Sequence, residues 1–251
     1  MREYLLLCKT YTLTAMCSLM CVCILYCSIL YAEHIHLFNQ KNMVVLGNNF
    51  VNHENIIKSI NLNTEQSIFS YDLNEIQSAI ETIDFVKSAK VSRIFPATLM
   101  IEVVERDPII LVVLDDEKYF FDDTQTPLQA PKKAINFFPV PILSFSNNGP
   151  THLGDFELTK AIRFVLKTTV IHKELYENLS EIRYRDNGIS LITDDRTRIE
   201  LGKDELLYKI SVLKEFQNTL KDKRSLDDYS YIDLKVKNQI IVRERNRVRK
   251  N

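Results

Sequence analysis

Glycine is scarce in this chain. Only five glycines occur in 251 residues and none are grouped into a loop that could cradle phosphate, so nucleotide binding has no support. Cysteine is missing from Glu33 onward. All five, Cys8, Cys17, Cys21, Cys23 and Cys27, come earlier, and the remainder of the chain therefore has no disulfides. A charge bias is also lacking, with 32 Lys and Arg against 33 Asp and Glu, so no global field draws the molecule toward nucleic acid or an anionic membrane. Nor does any catalytic constellation stand out. His34-x-His36 and His53 have no carboxylate or Cys ligand at a recognised spacing, and nothing completes Cys17-x-x-x-Cys21 as a metal site. The pairs Asp115-Asp116, Asp122-Asp123, Asp194-Asp195 and Asp227-Asp228 lack the Asp-x-Asp-x-Asp-Gly pattern of a calcium loop. They fall at predicted turns and element edges, where acidic side chains cap and stay solvated. The expectation is a protein that is not an enzyme and has no cofactor, metal or small-molecule substrate.

What is present begins with the uncharged run Thr10–Ala32. At about 1.5 Å per helical residue it is long enough to cross a hydrocarbon core of about 30 Å, so it reads as a transmembrane helix. A cleaved signal peptide is the rival reading, but its apolar core is shorter and Leu30-Tyr31-Ala32 makes a poor cleavage site. Arg2 and Lys9 precede the span, whereas Glu33 follows it and Lys41 is the first base beyond. This bias places the N-terminus in the cytoplasm and the rest of the chain outside it.

Beyond the span, Met43–Leu46 reads as a strand closed by Gly47-Asn48-Asn49, and Asn52 caps a short helix over Ile56, Ile57 and Ile60. Asp72 and Glu75 open a second helix whose Leu73, Ile76, Ala79, Ile80 and Ile83 share one face, ending near Asp84 or Phe85. Ala89–Arg93 and Thr98–Val104 are strands joined at Phe95-Pro96-Ala97. The order strand, helix, helix, strand, strand is that of a polypeptide-transport-associated (POTRA) module. Phe85-Val86, Ala89-x-Val91-x-Arg93, Phe95-Pro96, Leu99-x-Ile101-x-Val103 and Glu105-Arg106-x-Pro108 together resemble the POTRA signature of the FtsQ/DivIB family.

After Pro108, Ile109–Leu114 and Tyr119–Asp122 form an expected hairpin with a charged tip at Asp115–Lys118. The family often has an Asp-x-x-Gly turn next; here Asp122-Asp123-Thr124-Gln125 lacks the glycine. Pro127, Pro131, Pro139, Pro141 and Pro150 punctuate the next stretch and exclude a long helix there. Gly154-Asp155 opens one, with Leu158, Ala161, Ile162, Val165 and Leu166 on its stripe. Ile182–Arg185 and Ile189–Thr193 flank Asp186-Asn187-Gly188, a strong hairpin signal, and Arg196–Leu201 extends the meander. A helix over Lys203–Leu220 follows, then a last hairpin of Tyr231–Val236 and Gln239–Arg243 across Lys237-Asn238. Ile199-Glu200-Leu201-Gly202 and the terminal hairpin also resemble the family. The tail Arg243–Asn251 has five basic residues against one acid and reads as solvated.

The expected fold class is α+β: an N-terminal transmembrane helix, a small POTRA domain of β-α-α-β-β order, then a mixed β-rich domain with flanking helices. The expected boundaries are a cytoplasmic tail 1–9, span 10–32, linker 33–41, POTRA domain 42–108, FtsQ-type β domain 109–243 and basic tail 244–251. The resemblance implies a non-enzymatic scaffold of the bacterial division machinery, anchored in the inner membrane with its bulk in the periplasm and enriched at the septum. It also implies partners of the FtsB and FtsL type, docking at the C-terminal strand. A terminal strand can lie at a sheet edge and accept another chain by strand addition. Gln239, Ile240, Ile241, Val242 and Arg243, with Tyr231, are the candidate partner-binding residues. Arg93 and Arg106 are candidate contacts of the POTRA domain, or structural partners of Glu102 or Glu105. The alternative family reading is a POTRA-bearing component of secretion or outer-membrane assembly.

Overall fold

The structure, a computed structural model, describes residues 2–39, 42–60, 66–114, 117–146, 149–220 and 224–245. Lys41 at the end of the expected linker, the hairpin tip Asp115-Asp116 and the tail beyond Arg245 lie outside these residues. The chain divides into two compact units, 1–105 and 106–251.

In the first unit, helix α1 (Arg2–His34) contains the apolar segment Tyr11–His34, long and apolar enough to cross a membrane, with no residue of it buried inside the protein. A small sheet follows, ordered β1 (Asn42–Leu46), β3 (Thr98–Glu105), β2 (Val86–Ile94). The central strand β3 runs parallel to β1 and antiparallel to β2, and Leu99, Ile101 and Val103 are its buried alternates. Helices α2 (His53–Ile60) and α3 (Leu73–Glu81) bury Ile56, Ile60, Ile76 and Ile80. Each fully buried Ile or Leu contributes about 1.5–3 kcal/mol. Asn52 Oδ1 accepts from the Glu54 amide and Asp72 Oδ1 from the Asn74 amide, so both expected caps form. Helix α3 stops at Glu81, short of Asp84, where the Thr82 amide bonds the Ala79 carbonyl three residues back and tightens the last turn.

The second unit is built on a nine-stranded sheet in the order β12-β11-β10-β9-β8-β7-β4-β5-β6. Its strands are β4 (Pro108–Leu114), β5 (Glu117–Asp122), β6 (Pro127–Gln129), β7 (Ile142–Phe145), β8 (Leu179–Arg185), β9 (Gly188–Thr193), β10 (Arg198–Gly202), β11 (Tyr229–Asp233) and β12 (Ile241–Glu244). Strand β7 is parallel to both β4 and β8, and β10 is parallel to β11. A short helix α4 (Lys132–Phe137) follows β6, and α5 (Phe156–Ile171), α6 (Lys173–Glu177) and α7 (Leu206–Leu220) lie later in the chain. The core joins Leu158, Ala161, Ile162 and Val165 of α5 and Ile210 and Leu213 of α7 to Val112, Leu143, Ile182, Leu191, Ile199 and Ile232 of the sheet. Phe120 points away from this core and meets Phe138 at the end of α4. The Asn187-Gly188 hairpin forms between β8 and β9. Gly188 has φ +121, and a Cβ there would lie 2.2 Å from the Gly202 carbonyl carbon, so both conformation and space demand glycine. Asp155 caps α5 by accepting from the Glu157 amide.

One expectation about the turns is corrected. Asp122 is not solvated: it is fully buried and ion-paired with Arg106 at 2.7 Å. The glycine-free turn after it closes with Gln125 in the left-handed region, φ 63. Asp122 Oδ1 accepts from the Thr124 and Thr126 amides and from the Thr124 hydroxyl, which holds that conformation in place.

Candidate partner-binding edge

Strand β12 is the outermost of the large sheet, pairing with β11 and carrying no strand on its other side among the described residues. All four of its residues are exposed, with Ile241 at 48% and Val242 at 38%. Two consecutive residues of a strand point to opposite faces, so both faces of the edge present an aliphatic side chain to solvent. The register pairs Tyr231 with Arg243, Ile232 with Val242 and Asp233 with Ile241.

The loop into β12 differs from the expected tight hairpin. Strand β11 ends at Asp233, whose carboxylate accepts from the Lys235 amide at 2.8 Å, and Leu234 turns inward to bury against the core while its amide donates to the Glu200 carbonyl. The connection therefore runs through Leu234–Ile240. Gln239 and Ile240, expected on the strand, belong to this loop; Ile240 packs partly against the core, so only Ile241, Val242 and Arg243 of the expected set stand on the edge itself.

Beside the edge lies a band of paired charges on the sheet face opposite α7. Arg198, Tyr231 and Arg243 are neighbours in one cross-strand row, and Glu200, Asp233 and Ile241 in the next. Arg198 Nε donates to Glu200 Oε1 at 2.5 Å, and the Ser190 hydroxyl donates to Glu200 Oε2 at 3.0 Å. The Tyr231 hydroxyl donates to Asp233 Oδ2 at 2.9 Å, with Lys235 Nζ 3.3 Å from the same oxygen. The Arg243 guanidinium sits over the Tyr231 ring, 6.0 Å from its centre. Burial works to raise Asp233, but the Lys235 amide, the Tyr231 hydroxyl and the Lys235 ammonium hold its carboxyl below the ordinary value. Burial and the bond to Asp233 push the Tyr231 phenol up.

The far end of β12 is clamped. Glu244 pairs with Arg224. The Arg245 amide donates to the Asp228 carbonyl, and its guanidinium to the Thr197 hydroxyl and the Tyr229 carbonyl. Arg245 was expected in a solvated tail and is instead partly buried, because two oxygens of neighbouring elements converge on its guanidinium.

Arg93 and Arg106 hold partners other than Glu102 or Glu105. Arg93 donates to the backbone carbonyls of Ile68 at 2.7 Å and Tyr71 at 2.6 Å, fixing the loop before α3. Arg106 belongs to the second unit and bonds Asp122 and Thr126 there. Glu105 belongs to the first unit, where its carboxylate accepts from the Phe50 amide at 3.0 Å and the Val51 amide at 2.8 Å. Glu102 faces Lys90 at 3.2 Å. The resemblance to the family signature singled out these arginines but not their bonds. Asp122-x-Thr124-x-Thr126 was the available signal, since a carboxylate two and four residues before threonine amides is an Asx-type turn.

Two family models cover the folded part of the chain. That of a POTRA domain, FtsQ-type, matches residues 38–106, and that of an FtsQ/DivIB C-terminal related domain matches residues 107–242. The chain belongs to the FtsQ/DivIB family. Its relatives named cell division protein FtsQ include one from Syntrophotalea carbinolica, 27% identical over 212 residues, which is 82% of this chain and 74% of the relative. The Mycobacterium bovis protein is 26% identical over 144 residues, 57% of this chain and 42% of that one. The Rickettsia bellii protein is 29% identical over 86 residues, 34% of this chain, and the match spans 32% of the relative's length. In FtsQ/DivIB terms the first unit carries the POTRA domain and the second the C-terminal β-rich domain.

Proposed function

We propose that this FtsQ/DivIB-family chain is a non-enzymatic divisome scaffold that links division proteins of the FtsB and FtsL type by strand addition along β12. Helix α1 anchors it in the inner membrane, its N-terminus in the cytoplasm and both folded units in the periplasm, acting at the septum. The observation that carries the reading is the exposed outer edge of β12, clamped at Arg245 yet open along its length. A partner strand would gain main-chain hydrogen bonds there, with Ile241, Val242, Arg243 and Tyr231 setting specificity. Anchoring raises the effective concentration against partners held in the same membrane. A scaffold role also fits the engaged state of the shifted titratable groups. Arg183 and the Ser144 hydroxyl hold Glu181 low, and the Tyr176 phenol, pushed up to about 12 chiefly by burial, donates to the Ile109 carbonyl at 2.7 Å.

Alternate residues of an edge strand direct their N–H groups inward and outward, so of Ile241→Pro and Val242→Pro one removes a donor from the β11 ladder and the other a donor from the open edge. Each variant of the full chain is to be assayed for binding purified periplasmic segments of the coiled-coil division proteins, with circular dichroism as the check on folding. The expected result is one proline variant that keeps the wild-type spectrum and loses binding. Wild-type affinity in that folded variant would refute strand addition.

A further inference from the structure

The junction between α1 and the POTRA domain carries an apolar surface that the β12 reading leaves unused. Helix α1 ends in a defined stop: His36 takes φ 50, its amide donates to the Glu33 carbonyl, and the Leu37 amide donates to the Ala32 carbonyl, both at 3.0 Å. The next residues, expected to be a linker, are joined to the loop before α3. The Phe38 carbonyl accepts from the Ile68 amide at 2.8 Å, and Asn39 forms an antiparallel bridge with Ser67.

Three phenylalanines gather on this seam. The Phe38 ring meets Phe69 edge-on at 5.3 Å, and Phe69 lies 5.6 Å from Phe95. Phe69 is 52% exposed and Phe95 64%, and the chain neighbour Ile94 is 44% exposed. Arg93 makes the support rigid, because its two bonds to the Ile68 and Tyr71 carbonyls bracket the segment that bears Phe69. Rings held in the open by a fixed loop mark a surface made to be covered.

The covering phase is set by covalent distance. Tyr11 and Tyr31 of α1 are 20 residues apart, about 30 Å along a helix, which matches the hydrocarbon core and puts both tyrosines at its boundaries. Phe38 follows the last helical residue, His34, by four positions, so its Cα lies within about 14 Å of the helix end. The cluster is therefore tethered within reach of the headgroup layer from which α1 emerges. We propose that Phe38, Phe69 and Phe95 form a footing on the bilayer, with the exposed rings of Phe69 and Phe95 seated at the headgroup–acyl boundary. The POTRA domain is then held against the membrane at this loop instead of swinging from a tether. The proposal rests on α1 spanning the bilayer.

The chain has no tryptophan, so Phe69→Trp and, independently, Phe95→Trp each introduce a lone reporter. The full chain goes into nanodiscs whose lipids carry bromine near the top of the acyl chains, with Tyr208→Trp, exposed on α7 in the second unit, as the reference. Circular dichroism confirms that each variant keeps its fold. The expected result is blue-shifted emission and roughly twofold or greater quenching by brominated lipid for both POTRA reporters, as a ring about 5–10 Å into the interface would give, against none for the reference. Water-like emission and no lipid quenching in chains that co-purify with the discs would overturn the footing and turn that surface over to a protein partner. Chains that fail to co-purify with the discs would instead overturn the spanning of α1, and the footing with it.

Discussion

Asp122→Asn keeps the shape of a fully buried side chain while removing its charge. Four donors converge on this carboxylate: the Arg106 guanidinium at 2.7 Å, the Thr124 hydroxyl at 2.7 Å, the Thr126 amide at 2.8 Å and the Thr124 amide at 2.9 Å. Hydrogen bonds to a charged group are each worth about 1.5–3 kcal/mol net, and breaking one side of a buried ion pair costs about 3–5 kcal/mol. The Arg106 side chain is 21% exposed and can recover some hydration, which brings the expected loss to the lower end, about 3 kcal/mol. The pH dependence separates charge from shape. Burial works to raise the Asp122 pKa, but its bonds to Thr124, Thr126 and Arg106 leave it lowered. A group lowered on folding stabilises above its unfolded pKa, about 3.9, and loses that contribution as pH falls through the folded value. Wild type and variant should therefore differ at pH 7 and converge in acid. Hydrogen exchange on peptides from β4 and β5 reads this unit alone. The expected change is about a hundredfold faster opening in the variant at pH 7, since each 1.4 kcal/mol is tenfold. Less than tenfold at pH 7, or an equal gap at pH 3, would refute the assignment of the stabilisation to the carboxylate.

Gln125→Gly should stabilise the second unit by about 0.5–1 kcal/mol, because the left-handed φ of 63 strains a residue with a Cβ by more than glycine loses through its freer unfolded chain; a lowered unfolding midpoint would contradict this. Asp227 is raised by burial, by the Asp195 carboxylate it bonds and by Asp228. A carboxyl raised on folding supports the fold below its unfolded pKa and loses that support as pH climbs through the folded value. Asp227→Asn is therefore expected to raise the urea midpoint at pH 7 and to leave it unchanged at pH 3.

Elements with a local cause could be read from the sequence, and those with a distant cause could not. Asp72 before α3 and Asn187-Gly188 between β8 and β9 act on amides and dihedrals a few residues away, and both stand where the letters place them. Strand β7 is four residues between proline-rich stretches, and only its long-range parallel neighbours β4 and β8 make it a strand. Helix α6 has only five residues, held by His172 Nδ1 accepting from the Leu175 amide and by Leu175 buried in the core. At the candidate edge, the apolar run was visible but its start was not. The pull of Leu234 into the core and the Asp233 turn end β11 early and push Gln239 and Ile240 into the loop. Arg93 escaped a sequence account for a simpler reason: its acceptors are backbone carbonyls, which every residue supplies.

The adjacent charges of Glu105-Arg106 bear on how the protein can be dissected. Glu105 secures the Phe50–Val51 turn of one unit and Arg106 neutralises Asp122 in the other. The cut that respects both therefore falls between two consecutive letters of a single motif. A fragment beginning at Pro108 would carry the whole large sheet and still enclose a buried Asp122 deprived of its guanidinium; moving its start back by two residues restores the cation that site was folded around.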